Sequence, residues 1–303
     1  LHSFPTRRSS DLHIDLTRAV AQEVKVALSG LGGDELFGGY ERHAGILLSD
    51  RMDVLPAAVW RALGGAARRV MPLIAGRGLT GDRAHRFLRS LGHSPAERYL
   101  GFVTRLPADE LGALLAGPAA GPLAREALSA RLLRYFGRDP EAPLLNRALE
   151  MDYGQYLPGD ILPLTDRLSM LHSLEVRVPL VDHRLVELAA KIPPRFKVKG
   201  RSKKAIFRNL LAKQLPPSFF TAPKRGFVGP TASWLRRELR ELLVDSLRSK
   251  TLRESGWIAP EPVERMLRHH LSGESDRYAV ALWSLLMFAR WHDRYAIPRA
   301  AAA

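Results

Sequence analysis

The feature that most constrains this chain is the stretch VKVALSGLGGDELFGGY at residues 24–40, where an apolar run breaks into glycines beside two acids. Residues 24–28 are short, rich in valine and followed by a glycine-containing loop, a pattern that predicts a buried strand. A helix is expected after the loop, because Asp34 and Glu35 would then lie at the favourable end of its dipole. A strand that leads through a glycine loop into a helix is a common way for a chain to approach a phosphate.

The composition of the loop suggests an anionic ligand. Gly30, Gly32 and Gly33 would let the backbone approach a phosphate, and N–H groups at a helix start bind anions. Asp34 and Glu35 would repel a phosphate directly, unless Mg²⁺ lies between carboxylate and phosphate. A helix start without a ligand, in which the acids only complement the dipole, is the alternative that the spacing leaves open.

Composition narrows the class of protein. With 303 residues, the chain can form one large or two modest domains. It has no cysteine, which excludes disulfides and a cysteine nucleophile and is compatible with a reducing, intracellular compartment. The net charge of +15 suggests anionic partners or simply an arginine-rich surface, and no basic block interleaved with aromatic residues points to nucleic acid. The longest apolar run, residues 278–289, is too short for a bilayer and predicts a buried helix.

The two ends of the chain differ from the rest. Residues 1–12, LHSFPTRRSSDL, have an arginine pair but no apolar stretch after it, so they are not a secretion signal. Their polar, turn-rich character does not lead into the following pattern, and we interpret them as a foreign or disordered segment, with a natural flexible arm as the alternative. Residues 296–303 are a tail.

Helical patterns dominate between these ends. In residues 94–106, Ser94 and Glu97 form a capping box with Pro95 at the first helical position. Residues 51–140 otherwise show no constellation of chemical interest. Residues 231–295 predict three amphipathic helices whose tryptophans are core or staple residues: Trp234, Trp257, Trp283 and Trp291.

Charges interrupt the apolar pattern of residues 143–193. Asp166 and Arg167 lie within an apolar segment, and because buried charges need partners, we expect them to pair with each other or with neighbours. Glu175 and Arg177 alternate with valines, which predicts an extended or turn segment with its charges on one side. Asp182 is placed to cap a following helix.

A basic cluster follows Gly200. On a helix, Lys204 and Arg208 would share one face, with Lys203 beside them, and a glycine-led basic helix start is a candidate phosphate site. An ordinary solvated basic face is the alternative. A second basic turn, APKRGFVGP, occupies residues 222–230.

Four segments in order, LSGLGGDELFGGY, DRLSM, SLEVRVPLVD and KKAIFR, resemble the synthetase domain of glutamine-dependent asparagine synthases. These enzymes are similar to β-lactam synthetases and lasso-peptide cyclases. The resemblance covers about residues 15–295 and is weak over 51–140. It implies an ATP-pyrophosphatase fold, with a parallel α/β sheet followed by a helical region. Within a partial domain at 13–295, residues 13–50 would carry the nucleotide-site strand and loop, and 141–295 the helical region with further site residues.

The resemblance also implies a reaction. ATP and Mg²⁺ would activate an aspartate carboxylate as an acyl-adenylate, and ammonia from an N-terminal glutaminase domain would displace AMP to give asparagine. The implied partners are these small molecules, and neither nucleic acid nor a membrane is expected. The resemblance also implies a cytoplasmic location and is compatible with a homodimer of the intact protein.

Site roles follow from the resemblance residue by residue. Ser29 and Gly30 would meet the adenylate, together with Gly32 and Gly33. Asp34 would sit at the metal and the pyrophosphate, with Glu35 supporting it. Lys204 would neutralise phosphate charge in the transition state, with the adjacent Lys203 as an alternative assignment. The remaining matched residues would be site-wall or scaffold residues: Asp166, Arg167, Glu175, Arg177, Asp182 and Arg208.

Several departures from the family pattern limit this expectation. Leu31 replaces an acidic residue that resembles the base for ammonia in asparagine synthases, and leucine cannot move a proton. Leu164 replaces a usually basic residue. The glutaminase half and an upstream Ser-Gly-Gly-x-Asp-Ser loop are absent from these residues, so we expect a C-terminal fragment that is inactive alone. Alternatives are a polysaccharide amidotransferase or a peptide or β-lactam cyclase, and a non-catalytic basic binding module.

Overall fold

A computed structural model describes residues 7–52, 93–121, 133–200, 202–221 and 230–295, together with 59, 87, 90 and 130. These residues form a mostly helical α/β structure with one small parallel sheet, as the sequence predicts. The chain divides into two compact units. The described part of unit 1 is 7–52, 93–103, 133–200 and 202–221, and that of unit 2 is 104–121 and 230–295. The basic turn at 222–230 lies almost wholly outside the described residues, as do the tail and much of 51–140.

Unit 1 contains two strands and most of the short helices. Its strands are β1 (Val26–Leu28) and β2 (Glu175–Arg177). Its helices before β2 are α1 (Arg7–Glu23), α2 (Gly33–Phe37), α3 (Glu41–Met52), α4 (Pro95–Val103), α6 (Leu144–Met151) and α7 (Leu162–Met170). After β2 come α8 (His183–Lys191), α9 (Pro194–Lys197), α10 (Ala205–Leu211) and α11 (Ser218–Thr221).

The sheet joins two segments that are distant in the chain. β1 and β2 run parallel, with Val26 opposite Glu175 and Leu28 opposite Arg177. The predicted strand is therefore confirmed, but the prediction that it is buried is wrong for the described residues, since Leu28 is 77% exposed. Parallel strands are normally covered on both faces, but among the described residues Val26 and Leu28 on one face of this sheet are exposed.

One helical rod carries an unusual segment. Helices α6 and α7 are joined by a π-helix at Asp152–Ile161, which contains Pro158. Proline lacks the N–H that an α-helix interior needs, and the wider turn accommodates that loss. Short π-helical segments of this kind occur frequently at functional sites.

Unit 1 packs around two apolar clusters. The first lies between α3, α4 and α6, and its buried residues are Ile46, Tyr99, Phe136, Leu145, Ala148, Leu149, Met151 and Val198. The second fixes α2, whose Leu36 and Phe37 pack near Ala189, with the Phe37 and Phe207 ring centres 4.6 Å apart. The short helix after the glycine loop is thus held by apolar contacts on its inner side.

Unit 2 is a helical unit with its own core. Its helices are α5 (Ala108–Leu114), α12 (Thr231–Arg236), α13 (Arg240–Arg248), α14 (Lys250–Glu254), α15 (Pro260–Leu271) and α16 (Ala279–Tyr295). Residues 231–295 therefore form five helices, because short breaks divide the stretches predicted as three. Trp283 is buried in the core as predicted, whereas Trp257 and Trp291 are exposed, which corrects their assignment.

Local helix signals were accurate where the structure describes them. Ser94 and Glu97 form the capping box, with Ser94 N donating to Glu97 Oε2 at 3.0 Å and Glu97 N to Ser94 Oγ at 3.3 Å. At the N-terminus, α1 begins at Arg7, inside the segment interpreted as foreign or disordered, whose origin stays a prediction. None of the described helices is both long and apolar enough to cross a membrane.

Candidate active site

The glycine loop begins where β1 ends and is anchored to β2. Ser29 N donates to Arg177 O at 2.8 Å, and Leu31 N donates to Ser29 Oγ at 3.4 Å. Gly30 is exposed, and a Cβ built on it would meet no atom within 4 Å. Of the two residues predicted to meet an adenylate, Gly30 is thus exposed and Ser29 is half-buried, and the predicted contact stays a prediction.

The other loop glycines serve internal packing. Gly32 has φ 87° and caps the start of α2, and a Cβ there would lie 2.7 Å from Val181 Cγ2. Gly38 has φ 75° at the end of α2, and a Cβ there would lie 2.6 Å from Val198 Cγ2. Only glycine combines this left-handed backbone with such close neighbours. The loop is thereby pressed against segments that follow β2.

Asp34 and Lys204 form an ion pair at the open side of α2. Lys204 Nζ lies 3.0 Å from Asp34 Oδ1, and the two side chains are 30% and 25% exposed. Lys204 has φ 52° and ψ 40°, a left-handed conformation that is uncommon for a residue with a Cβ. A Cβ on Gly39 would overlap Asp34 Oδ1 and Lys204 Cε. Two predicted site residues, 170 positions apart, are thus brought together in a space that Gly39 keeps clear.

The basic cluster is arranged differently from the prediction. Lys204 lies before the first turn of α10, so it does not share a helical face with Arg208 in the predicted way. Arg208 Nη2 donates to Phe220 O at 3.0 Å, while Lys203 pairs with Glu41. The left-handed backbone at Lys204 separates its side chain from the helix surface. Of the two adjacent lysines, the structure brings Lys204 to Asp34.

Glu35 points away from the open side of the loop. It is buried and accepts a hydrogen bond from Tyr40 Oη. Burial raises the pKa of Glu35, and the hydrogen bond from Tyr40 only partly opposes that rise. Glu35 therefore supports the loop from the inside, while Asp34 is the accessible carboxylate.

A buried polar cluster lies beside the end of the loop, and we call Arg42, His43, Tyr99 and Asp152 the Asp152 cluster. Asp152 Oδ2 accepts from His43 Nε2 at 2.8 Å, from Tyr99 Oη at 2.7 Å and from Arg42 Nη2 at 2.7 Å. Arg42 Nε lies 2.9 Å from the same oxygen. Asp152 is the first residue of the π-helix and is 2% exposed. One carboxylate oxygen thus joins α3, α4 and the π-helix.

The charges of this cluster are set by burial and by partners. Burial would raise the pKa of Asp152, but the hydrogen bond from His43 and the charge of Arg42 hold it below its usual value. Burial lowers the pKa of His43, and Asp152 only partly offsets this. The favoured state is an Arg42–Asp152 ion pair with a neutral imidazole.

The remaining predicted residues lie away from the Asp34–Lys204 pair or flank the loop. Asp166 and Arg167 are exposed on α7, so the expectation of a charge pair within an apolar core is wrong: solvent removes the need for it. Arg177 Nε donates to Glu175 Oε1 at 2.8 Å on one side of β2, as predicted. Asp182 caps α8, accepting from Arg184 N at 2.9 Å.

Sequence reasoning missed the Asp152 cluster. Its members are separated by up to 110 positions, so no local spacing joins them. The available signal was a single acid after the apolar helix LLNRALEM, together with the run Tyr40-Glu41-Arg42-His43 after the last loop glycine. A lone acid on an apolar helix face implies a buried partner, although it does not identify one.

Comparison with known proteins identifies the family. The sequence profile of the asparagine synthase family matches residues 5–293, and the chain belongs to this family. A Mycobacterium tuberculosis protein (strain ATCC 25618 / H37Rv), named provisionally as an asparagine synthetase (glutamine-hydrolyzing), is 32% identical over 91% of the chain and 40% of its own length. Asparagine synthetase (glutamine-hydrolyzing) 1 of Bacillus subtilis (strain 168) is 27% identical over 92% of the chain and 42% of its own length.

A more distant relative has another name. Amidase chyE of Penicillium rubens is 26% identical over 74% of the chain and 35% of its own length. The chain thus spans about two fifths of the length of the curated asparagine synthetases it matches. These comparisons support the ligase class.

Proposed function

We propose that the chain is part of the synthetase portion of an ATP-dependent ligase that adenylates a carboxylate and forms an amide with glutamine-derived ammonia. The observation that carries the proposal is the partly exposed Asp34–Lys204 pair, whose acid belongs to the same glycine-rich stretch as the open backbone of Gly30. An anionic and a cationic group that share one accessible position suit a substrate that brings both phosphates and a metal.

The residues fit Mg²⁺ in a limited way. Within the described ranges, no group of three or more histidine, aspartate or glutamate side chains could hold a metal. Mg²⁺ needs no such cage, because it retains several waters and uses one or two carboxylates together with substrate phosphates. Asp34 would be its protein ligand, and Mg²⁺, when bound, would neutralise phosphate charge. We also propose that the complete domain has the ATP-pyrophosphatase fold.

The chemistry assigns separate tasks to the loop residues. A substrate carboxylate oxygen attacks the α-phosphorus of ATP, the bond to the β-phosphate oxygen breaks, and pyrophosphate leaves. The Lys204 ammonium would stabilise charge on the phosphates during this step. Ser29 and the backbone of Gly30 would lie on the adenylate side. Ammonia then attacks the acyl carbon, AMP leaves, and a proton is lost to give the amide.

The acceptor is the part of the proposal with a specific alternative. The loop carries Leu31, which cannot accept the proton that the attacking ammonia must lose. We propose aspartate as the first substrate to test, and a different carboxylate, in a polysaccharide- or peptide-modifying paralogue, as the alternative. The similarity to a fungal protein named as an amidase supports an activity other than asparagine synthesis. If Leu31→Glu raises aspartate-dependent activity, the alternative is favoured.

The test measures pyrophosphate and AMP release by the intact protein that contains this chain, with aspartate and a panel of other carboxylates. Lys204→Met should lower pyrophosphate release about 100-fold or more, the scale at which removal of one preorganised electrostatic group acts. The adjacent Lys203→Met should lower it far less, because Lys203 pairs with Glu41. No release with any carboxylate would overturn the proposal. The 303 residues alone are expected to release none, since they lack the Ser-Gly-Gly-x-Asp-Ser loop.

A further inference from the structure

The Asp152 cluster touches the glycine loop through His43. Tyr40 N donates to His43 Nδ1 at 3.3 Å, while His43 Nε2 faces Asp152 Oδ2 at 2.8 Å. An imidazole nitrogen that accepts from a backbone N–H carries no proton of its own. His43 is therefore the neutral Nε2–H tautomer, accepting from the loop with one nitrogen and donating to Asp152 with the other.

Tyr40 is held in three ways at the end of the loop. Its N–H is bonded to His43, its hydroxyl donates to Glu35, and the guanidinium carbon of Arg42 lies 3.9 Å from the centre of its ring. The Tyr156 ring of the π-helix lies 5.9 Å from the Tyr40 ring, edge to face. The two hydrogen bonds and the cation over its ring together restrict the Tyr40 side chain and amide to one position.

A very short backbone segment, Gly38 and Gly39, connects Tyr40 to the Asp34–Lys204 pair. Gly38 N and Gly39 N both donate to Asp34 O, at 3.1 and 2.9 Å. The α-carbon of Gly39 lies so close to the pair that even a methyl group would overlap Asp34 Oδ1 and Lys204 Cε. Gly39, the residue before Tyr40, therefore packs directly against the carboxylate that faces Lys204.

We propose that His43, oriented by Asp152, is a positioning residue that sets the Asp34–Lys204 geometry by holding the Tyr40 backbone amide. The inference rests on the proposed function for its kinetic part and on the hydrogen-bond geometry alone for its structural part. Neither His43 nor Asp152 touches the reacting atoms. They act through Tyr40 and Gly39.

Two substitutions separate the roles of the two imidazole nitrogens. In His43→Asn the amide oxygen takes the place of Nδ1, so the acceptor for Tyr40 N–H is kept and the donor to Asp152 is lost. In His43→Gln the amide nitrogen takes the place of Nε2, so the donor is kept and the acceptor is lost. Tyr99→Phe is the matched control, because it removes another donor to Asp152 that makes no hydrogen bond with the loop.

Hydrogen exchange at the Tyr40 amide, measured at single-residue resolution on the 303-residue chain, tests the structural part. We expect the protection factor of this amide to fall at least tenfold in His43→Gln. In His43→Asn and Tyr99→Phe it should stay within about threefold of its value in the parent chain. Melting temperatures of all variants show whether a change merely follows stability. Equal protection in His43→Gln and the parent would overturn the inference, as would a loss in Tyr99→Phe of the same size.

Pyrophosphate release by the intact protein tests the kinetic part. His43→Gln should lower kcat about 10- to 100-fold with a smaller change in KM for ATP, since a displacement of about 1 Å can cost about 100-fold. His43→Asn should recover most of that loss. Loss of kcat that follows melting temperature across all three variants would overturn the inference. If the intact parent releases no pyrophosphate, the proposed function fails while the exchange measurement still decides the role of His43.

The pH dependence of Tyr40 protection gives an independent readout. Protonation of His43 would remove the acceptor for Tyr40 N–H, so protection, corrected for intrinsic exchange, should fall as the pH drops in the parent and stay level in His43→Asn. The charged and titratable groups that face His43 are Asp34, Tyr40, Arg42, Tyr99 and Asp152. A parent chain whose corrected protection matches that of His43→Asn at every pH would contradict this assignment.

Discussion

Two carboxylates, Asp152 in unit 1 and Glu264 in unit 2, each bind an arginine, but they differ in how deeply they are buried. Asp152 in unit 1 is 2% exposed and concentrates donors from Arg42, His43 and Tyr99 on one oxygen. The Glu264 side chain in unit 2 is 28% exposed and accepts two bonds from Arg248, each 2.8 Å long. The chemistry of the pairs is similar, so the difference in burial decides how much each contributes.

The surroundings explain the difference. Around Glu264, solvent screens the ion pair and can replace either partner. Around Asp152, no solvent is available, so removal of the carboxylate would leave Arg42 without its counter-charge in a largely buried position. The loop of unit 1 is therefore tied to an interior polar network, whereas the Arg248–Glu264 ion pair of unit 2 is partly exposed to solvent.

Asp152→Ala gives the largest expected effect. Breaking a buried ion pair by removing one partner costs about 3–5 kcal/mol, so the free energy of unfolding should fall by about that amount. Urea unfolding followed by circular dichroism measures it. A loss below about 1 kcal/mol would show that the Asp152 cluster is no more important than a surface pair.

Lys197 is a second buried charge of unit 1, and its titration should make the free energy of unfolding depend on pH. Its side chain is buried and, among the described residues, donates one long bond of 3.4 Å to Asn146 Oδ1, and burial lowers the pKa of Lys197 to about 8. The unfolded chain binds this proton up to a pKa of about 10.4, so it holds more protons between the two values. Stability therefore rises with pH in that interval, by up to about 3 kcal/mol.

Lys197→Met removes this titration. We expect the variant to be more stable than the parent at pH 7 and the difference to shrink by up to about 3 kcal/mol as the pH rises to 10.5. Urea midpoints across that range provide the measurement. Parallel stability curves for the parent and the variant would contradict the assignment.

Gly39→Ala tests how closely the loop backbone approaches the Asp34–Lys204 pair. The added methyl group would overlap both side chains, and overpacking of this kind costs about 1–3 kcal/mol. Gly30→Ala is the matched control in the same loop, because a Cβ there meets nothing within 4 Å. Thermal unfolding of both variants should separate them, and equal melting temperatures would argue against the close packing at Gly39.

Glu264→Ala completes the comparison with the smallest effect. A partly exposed pair contributes about 0–1 kcal/mol, so the free energy of unfolding should fall by less than about 1 kcal/mol. Added salt should reduce the difference from the parent further. A loss as large as that of Asp152→Ala would remove the distinction between the two carboxylates.

Local sequence patterns predicted the local structure well. The strand before the loop, the capping box at Ser94 and Glu97, and the cap at Asp182 all depend on neighbours within a few positions. The resemblance of four short segments identified the asparagine synthase family, which the profile match confirms. The exposure of Asp166 and Arg167 was misjudged, because an apolar segment does not by itself show which of its faces is covered.

The sequence by itself determined that a glycine loop with two adjacent acids follows a strand, and that a basic segment lies far downstream. Only the tertiary structure decided that Lys204, rather than Lys203, meets Asp34, and that Arg42, His43 and Asp152 hold the end of the loop. These contacts join residues more than 100 positions apart. Helix and strand periodicity reports only which neighbours share a face. Which distant side chains meet is set by packing, and here also by the left-handed backbone at Lys204 that turns its side chain toward the acid.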